Sequence, residues 1–153
     1  MKARIFLAFI VAFLISAPAG AITNAEWRSE MVKGFQKYWI ENNSGARFTI
    51  WCNPKKKTMG TVIDIDIDGA NAPANKRVRI LLDNDMIKLP ADNKGYIRTK
   101  CAVCADSYRI IWNRLRSSRS LAVKFNDERY AVFSLVGARK VLPGNACPAD
   151  FDK

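Results

Sequence analysis

Cysteine is the residue type in this sequence best suited to chemistry, because the chain has four cysteines and no histidine. Histidine is the commonest general base and the commonest protein metal ligand, so catalytic sites of the Ser-His-Asp and Cys-His types are excluded. P-loop, dinucleotide-binding and G-x-S-x-G motifs are also missing from the sequence. We therefore expect a protein that is not an enzyme and holds no cofactor, with thiol chemistry as the one enzymatic alternative.

Two of the cysteines form the motif Cys101-Ala-Val-Cys104, which lies between a predicted strand and a predicted helix. This local order resembles the redox turn of thioredoxin-like proteins, in which the amides at a helix N-terminus stabilise a thiolate. However, no tryptophan precedes Cys101, no βαβ unit precedes the motif, and the strands after it look antiparallel. The motif therefore favours a structural disulfide, and a thiol-disulfide oxidoreductase using Cys101 and Cys104 is the alternative.

The four cysteines, an even number, are typical of disulfides in an exported domain. They are Cys52, Cys101, Cys104 and Cys147. Three connectivities are possible, and we favour Cys52–Cys147 with Cys101–Cys104. The first bond would close a loop of nearly the whole domain and would stabilise the fold by about 4–5 kcal/mol in the entropy model. A four-cysteine zinc site fits by residue type, but an oxidising compartment disfavours it, and we predict no metal.

The segment Asp64-x-Asp66-x-Asp68-Gly69 begins like the calcium loop of an EF-hand. The match then ends, because the twelfth position holds Asn75 where the loop needs a bidentate glutamate. Isoleucines alternate with the aspartates, as in a strand with one buried face. The pattern therefore predicts a strand and no calcium site.

Basic residues outnumber acidic ones, 25 to 14, and give a formal net charge of +11. One group, Lys55, Lys56 and Lys57, lies in a predicted turn; a second, Arg109, Arg114, Arg116 and Arg119, lies on and after a predicted helix. Each residue alone could simply be solvated. As groups they are candidates for binding an anionic surface or an acidic protein, because guanidinium forks bind phosphate and carboxylate at two points.

The N-terminus has the three parts of a secretory signal peptide. A basic start, Met1 to Arg4, precedes an apolar run from Ile5 to Ile15 and then small residues. We predict cleavage before Gly20, with cleavage after Ala21 as the alternative, leaving 20–153 as a single domain with a net charge of +9. The apolar run is shorter than the about 20 residues of a membrane span, so we expect no stable membrane insertion after cleavage. Export to the periplasm or the medium also argues against a nucleic-acid partner.

Hydrophobic periodicity predicts an α+β fold with a mostly antiparallel sheet or sandwich. A helix is predicted from about Asn24 to Glu41, on the helical spacing of its aromatic residues. A second helix is predicted after the Cys-x-x-Cys motif, capped by Asp106 or Ser107. Strands are predicted at 46–52, 61–68, 77–82, 86–89 and 96–99, a hairpin at 121–135 and a helical turn at 138–142. If the strands at 61–68 and 77–82 pair, their aspartate and arginine rows would face each other.

The C-terminal region carries a resemblance to a known family. The segment Phe133 to Leu142, FSLVGARKVL, followed by Cys147 and preceded by the strand holding Trp51 and Cys52, resembles small exported bacterial proteins of the invasion-associated locus B type. The resemblance covers roughly residues 46–147. It implies a non-enzymatic, β-rich domain associated with host contact or the cell envelope, and it transfers no catalytic residue.

These observations predict an exported, non-enzymatic binding or accessory protein of the bacterial cell envelope, associated with virulence, whose basic surface meets an anionic partner. Two alternatives remain open. One is a periplasmic inhibitor or immunity protein that blocks an acidic target. The other is the thiol-disulfide oxidoreductase already named.

Overall fold

The computed structural model describes residues 25–53 and 60–152, and this part of the chain forms nine strands and one long helix. The strands are β1 (Arg28–Val32), β2 (Phe35–Glu41), β3 (Arg47–Cys52), β4 (Val62–Asp66), β5 (Arg77–Leu82), β6 (Asp85–Pro90), β7 (Ile97–Arg98), β8 (Ser120–Lys124) and β9 (Tyr130–Ser134). The helices are α1 (Ala102–Leu115), the short α2 (Ala138–Val141) and a 3-10 turn, Asp150–Asp152. The predicted signal segment 1–19 lies outside the described residues.

The strands form two antiparallel sheets that share one hydrophobic core. The first sheet has the order β1-β2-β3-β4-β7, and the second has the order β6-β5-β8-β9. Alternate residues point inward in most of the strands, so the inner faces of both sheets contribute to a single buried cluster. Strand β1, at the edge of the first sheet, has no buried residue. Phe48 of β3 meets Phe133 of β9 edge to face, with ring centroids 6.3 Å apart.

Helix α1 packs one apolar face into the same core. Its buried residues recur at helical spacing, and Trp112 is fully buried among them. The Trp112 ring meets Tyr38 of β2 edge to face at 5.5 Å, and its indole N–H donates to the carbonyl of Pro143 at 3.1 Å. The helix is thereby joined to the first sheet and to the segment after α2.

The predicted N-terminal helix is wrong, because β1 and β2 form a hairpin there. The chain reverses at Lys33 and Gly34, whose φ angles of 48° and 83° are those of a tight two-residue hairpin turn. Tyr38 and Ile40 then point into the core, whereas Phe35 and Trp39 lie on the outer face. Aromatic residues on both faces of one strand had imitated the spacing of a helical stripe.

The α+β class predicted from the sequence is also wrong, since two sheets dominate the described residues and only α1 is a long helix. Helix α1 begins inside the Cys-x-x-Cys motif, with Cys101 rather than Asp106 or Ser107 as its N-cap. The strands β4 and β5 belong to different sheets, so their aspartate and arginine rows do not face each other. Local alternation had identified the strands but not their partners.

The loop between β4 and β5 carries the chain from the first sheet to the second and is held from two sides. The guanidinium of Arg129 donates to the carbonyls of Ile67, Ala70 and Asn71, each at 2.8 Å. On the other side Gly95, with a φ of +84°, lies so close that an added Cβ would be 2.3 Å from the Ala72 carbonyl oxygen.

Strand β8 begins at a carboxylate cap provided by Asp83, which follows β5. Its Oδ1 accepts hydrogen bonds from the backbone N–H groups of Arg119 and Ser120, at 3.0 and 3.1 Å. These bonds, led by the one from Arg119, hold the pKa of Asp83 below its usual value. The cap fixes where β8 pairs with β5.

We predict that Gly95→Ala destabilises the protein more than Gly34→Ala. Both glycines have almost the same left-handed φ, but nothing lies within 4 Å of a Cβ at Gly34. Gly34→Ala should cost about 1–2 kcal/mol, the penalty of a left-handed alanine. Gly95→Ala should cost about 1–3 kcal/mol more, because the methyl group must displace the loop backbone. Urea unfolding of both variants measures the difference, and equal losses would contradict the close contact.

We predict that Asp83→Asn lowers the melting temperature at pH 7 and has little effect near pH 2. Asparagine tolerates the positive φ of this position, so the substitution removes mainly the charge. The pKa of Asp83 is lower in the folded protein than the unfolded pKa of 3.8, so the carboxylate stabilises the fold at pH values above 3.8. This stabilisation is lost as the pH falls through the pKa of Asp83 in the folded protein. Thermal unfolding of both proteins from pH 2 to 7 tests this. A gap that stays constant down to pH 2 would contradict it.

Candidate functional site

The exposed face of the second sheet carries three cations in one line. The strand register places Lys88 of β6 opposite Arg79 of β5, and Arg79 opposite Lys124 of β8. The neighbours of Arg79 along its strand, Val78 and Ile80, are buried in the core, so Arg79 points away from it. We call Lys88, Arg79 and Lys124 the basic row.

The basic row is only partly neutralised. Like charges directly opposite each other in a sheet repel and lower stability. One carboxylate, Glu128 in the turn after β8, pairs with Lys124 at 2.5 Å. The pKa of Glu128 is lowered by the hydrogen bond and charge of Lys124, and also by the charge of Arg79. Within the described part of the chain, Arg79 and Lys88 form no ion pair of their own.

An apolar row runs beside the basic row on the same face. Its members, one in each strand of the sheet, are Met86, Leu81, Ala122 and Val132. Met86 is 56% exposed and Val132 is 46% exposed. Tyr130 of β9, also largely exposed, lies opposite Lys124 and continues the line of the basic row with an aromatic side chain. The face is therefore amphipathic: in each strand the residue of the apolar row lies two positions from the residue of the neighbouring row.

The outer face of the first sheet is different, because its cations already have partners. Lys37 and Arg47 lie over the Trp39 ring, at 4.9 and 5.3 Å from its centroid. Lys37 also pairs with Glu30 at 2.7 Å, and Arg47 pairs with Glu41 at 2.5 Å. Cation–π contacts and ion pairs satisfy this face internally. It has less unpaired positive charge to offer a partner.

A cleft of about 350 Å³ opens on the first sheet, lined among others by Phe35, Trp51, Tyr96 and Asp64. Burial raises the pKa of Asp64, although hydrogen bonds from Asn71 and Trp51 oppose the shift. The amide of Asn71 donates to Asp64 Oδ1 at 2.6 Å. The carboxylate is thus occupied by its own neighbours.

The aspartates that imitate a calcium loop take up strand and turn positions. Asp64 and Asp66 lie in β4, and Asp68 lies in the tight turn after it with a φ of 58°. Over residues 25–53 and 60–152, no three acidic or cysteine side chains are grouped as ligands for a metal ion.

Three of the four arginines predicted as binding residues are engaged within the protein. Arg109 pairs with Asp106 at 2.6 Å and also with Asp152, which raises the pKa of Arg109. Arg114 pairs with Asp85, the first residue of β6.

The Nε of Arg116 donates to the carbonyl of Leu142 at 3.1 Å. Arg119 is exposed, and its guanidinium forms no ion pair with any described residue. The other predicted group, Lys55, Lys56 and Lys57, lies outside the described residues. The structure therefore does not join the arginines into a set of unpaired cations.

The cysteines pair as Cys52–Cys147 and Cys101–Cys104, the connectivity favoured above. The first bond joins the end of β3 to the C-terminal segment across 95 positions, with Cα atoms 5.8 Å apart. The second spans only 3 positions. The entropy model gives about 5 kcal/mol for the long loop and about 2 kcal/mol for the short one. Of the two disulfides, Cys52–Cys147 therefore contributes more to the stability of the fold.

Sequence reasoning missed the basic row as a site. Alternation in β5 predicted that Arg77 and Arg79 share a face, but Lys88 and Lys124 each occur once in their own strands. Lys124 lies 45 positions after Arg79 in the chain, and only the β5–β8 register brings them together. Composition had indicated positive charge without its location.

The described residues contain no helix that is both long enough and apolar enough to cross a membrane. Two disulfides fit a protein of an extracytoplasmic, oxidising compartment.

Comparison with known proteins identifies one family to which the chain is similar. No curated protein and no solved structure shows significant similarity to the chain. The family named YfjT matches residues 25–142, from just before β1 to just after α2. This match covers both sheets and the long helix, but it does not reach Cys147. Nothing in the comparisons links the chain to the invasion-associated locus B type. The chain belongs to the YfjT family.

Proposed function

We propose that this protein is an exported, non-enzymatic binding protein of the bacterial cell envelope that attaches to an anionic lipid surface. The observation that carries the proposal is the basic row, in which Lys88, Arg79 and Lys124 face one another with one carboxylate beside them. The three cations repel one another, and phosphate groups that bind to them would neutralise their charge and relieve this repulsion.

A lipid surface fits this face better than a single acidic protein. Neighbouring strands lie about 4.8 Å apart, so the basic row is a regular line of charges on a sheet surface. The apolar row, with Met86 and Val132 about half exposed, can enter the boundary between headgroups and acyl chains. An acidic protein would use the cations but needs no apolar line beside them.

The resemblance to exported proteins of the invasion-associated locus B type supports a place at the envelope or at host contact. The disulfides and the predicted signal peptide support the periplasm or the medium as the compartment. An association with virulence belongs to this proposal and rests on the resemblance alone.

The test is binding to vesicles of phosphatidylcholine with and without phosphatidylglycerol, measured by co-sedimentation at low salt. We expect binding only with the anionic lipid. Each cation near such a surface contributes about 1 kcal/mol, so the triple variant R79Q/K88Q/K124Q should bind about 100-fold more weakly. The control K76Q/K94Q/R139Q loses the same charge from exposed residues outside the basic and apolar rows and should bind nearly as the parent does.

A second variant should strengthen binding. Glu128→Gln removes the carboxylate that pairs with Lys124 and should raise the affinity about fivefold. The proposal fails if the protein ignores phosphatidylglycerol, or if the two triple variants lose binding equally. The arginines predicted from the sequence are compared in the same assay as R109Q/R114Q/R116Q/R119Q, and a larger loss there would move the binding site to the helix.

A further inference from the structure

The Cys101–Cys104 disulfide lies at the exposed start of α1. Cys101 is the N-cap of this 14-residue helix and is exposed, and Cys104 is half-buried in the first turn. The Sγ of Cys101 accepts a hydrogen bond from the backbone N–H of Cys104 at 3.1 Å. Cys52 of the other disulfide is buried in the core. Its partner Cys147 is half-buried, as Cys104 is, so the two bonds differ in access because Cys101 is exposed and Cys52 is buried.

The exposed bond contributes less to stability than Cys52–Cys147 does. It closes a loop between residues only 3 positions apart, which constrains the unfolded chain far less than the 95-position loop of Cys52–Cys147. The helix also forms its own N-cap bond at Cys101, and the first turn contains no acidic residue that would repel a thiolate. The oriented amides of that turn favour negative charge on a reduced sulfur.

Exposed apolar side chains lie near the disulfide, with Val103 and Ile110 on the side of α1 turned away from the core and Phe151 on the C-terminal segment. Val103, 73% exposed, lies within the motif, and Ile110, 53% exposed, lies two turns further along the same side of α1. Phe151, 54% exposed, is held next to the motif because its N–H donates to the carbonyl of Thr99 at 3.0 Å. A thiol reagent as small as glutathione does not need such a surface, but a polypeptide with apolar side chains can bind to it.

We propose that the Cys101–Cys104 disulfide exchanges with a dithiol in a partner polypeptide and oxidises it. A thiolate of the partner attacks Sγ of Cys101, the bond to Cys104 breaks, and Cys104 leaves as a thiolate that takes up a proton. The second thiolate of the partner then attacks its own sulfur in the mixed disulfide, and Cys101 leaves. The partner loses two electrons and two protons and becomes a disulfide, while Cys101 and Cys104 become thiols.

This activity is independent of the lipid-binding proposal, because the basic row and the motif lie on different elements. The test mixes the purified oxidised protein with an equimolar reduced peptide that carries two cysteines among apolar residues. Alkylation and mass spectrometry then identify the open cysteines. We expect one peptide disulfide per protein, with Cys101 and Cys104 alkylated and Cys52–Cys147 still closed. A motif that stays closed, or opens only together with Cys52–Cys147, overturns the proposal.

Surface variants test whether the apolar residues receive the peptide. V103Q/F151Q should slow exchange with the peptide about tenfold, since two apolar side chains that would be buried against the peptide are lost, and should leave exchange with dithiothreitol unchanged. Val136→Gln replaces another highly exposed valine, in the loop before α2, and is the matched control. Equal slowing by the control, or equal slowing with dithiothreitol, contradicts a docking role for Val103 and Phe151.

Single cysteine variants test the order of attack. Cys104→Ser leaves Cys101 free and should form a mixed disulfide with a single-cysteine peptide activated as its thionitrobenzoate disulfide, releasing thionitrobenzoate, whereas Cys101→Ser should form it at least about tenfold more slowly because the remaining sulfur is half-buried. Equal rates for the two variants would exclude Cys101 as the exchanging sulfur. Far-UV circular dichroism of each variant checks that the fold is retained.

Discussion

The attachment of the C-terminal segment to the first sheet is the constraint on which much of this structure depends. Cys147 is bonded to Cys52 at the end of β3, the hydroxyl of Thr61 donates to the carbonyl of Pro148, and the Thr99 hydroxyl accepts from the N–H of Asp150. The segment is therefore fixed beside the ends of β3 and β7 and the start of β4. The ion pair of Asp152 with Arg109 extends the attachment to α1.

The same attachment determines what surrounds the Cys101 site. Phe151 lies next to the motif because the C-terminal segment is hydrogen-bonded to Thr99, just after the end of β7. Helix α1 begins at Cys101, close to the end of the same strand. A disulfide with a long loop, anchored in the core at Cys52, thus supports a disulfide with a short loop that is exposed at Cys101. Stability and exchange chemistry are divided between the two bonds, as their burial and loop lengths favour.

The two sheets use their outer faces in opposite ways. On the first sheet, cations stack on tryptophan and pair with acids, so the charges are satisfied within the fold. On the second sheet, Lys88, Arg79 and Lys124 face one another beside one carboxylate, and an apolar row lies next to them. A protein with excess positive charge can hold it either way, and only the second arrangement leaves it available to a partner.

The sequence by itself determined the strand segments from β3 onward, the presence of a helix after the motif, the number of cysteines and the excess of positive charge. Period-two alternation and composition are local properties, and each can be read without knowing which segments are neighbours. The tertiary structure decided the rest. The hairpin at Lys33 and Gly34 replaced a helix, and strand register assembled the basic row. Pairing with acids engaged Arg109 and Arg114. Register and pairing join residues far apart in the chain, so they depend on packing and turns that no local pattern contains.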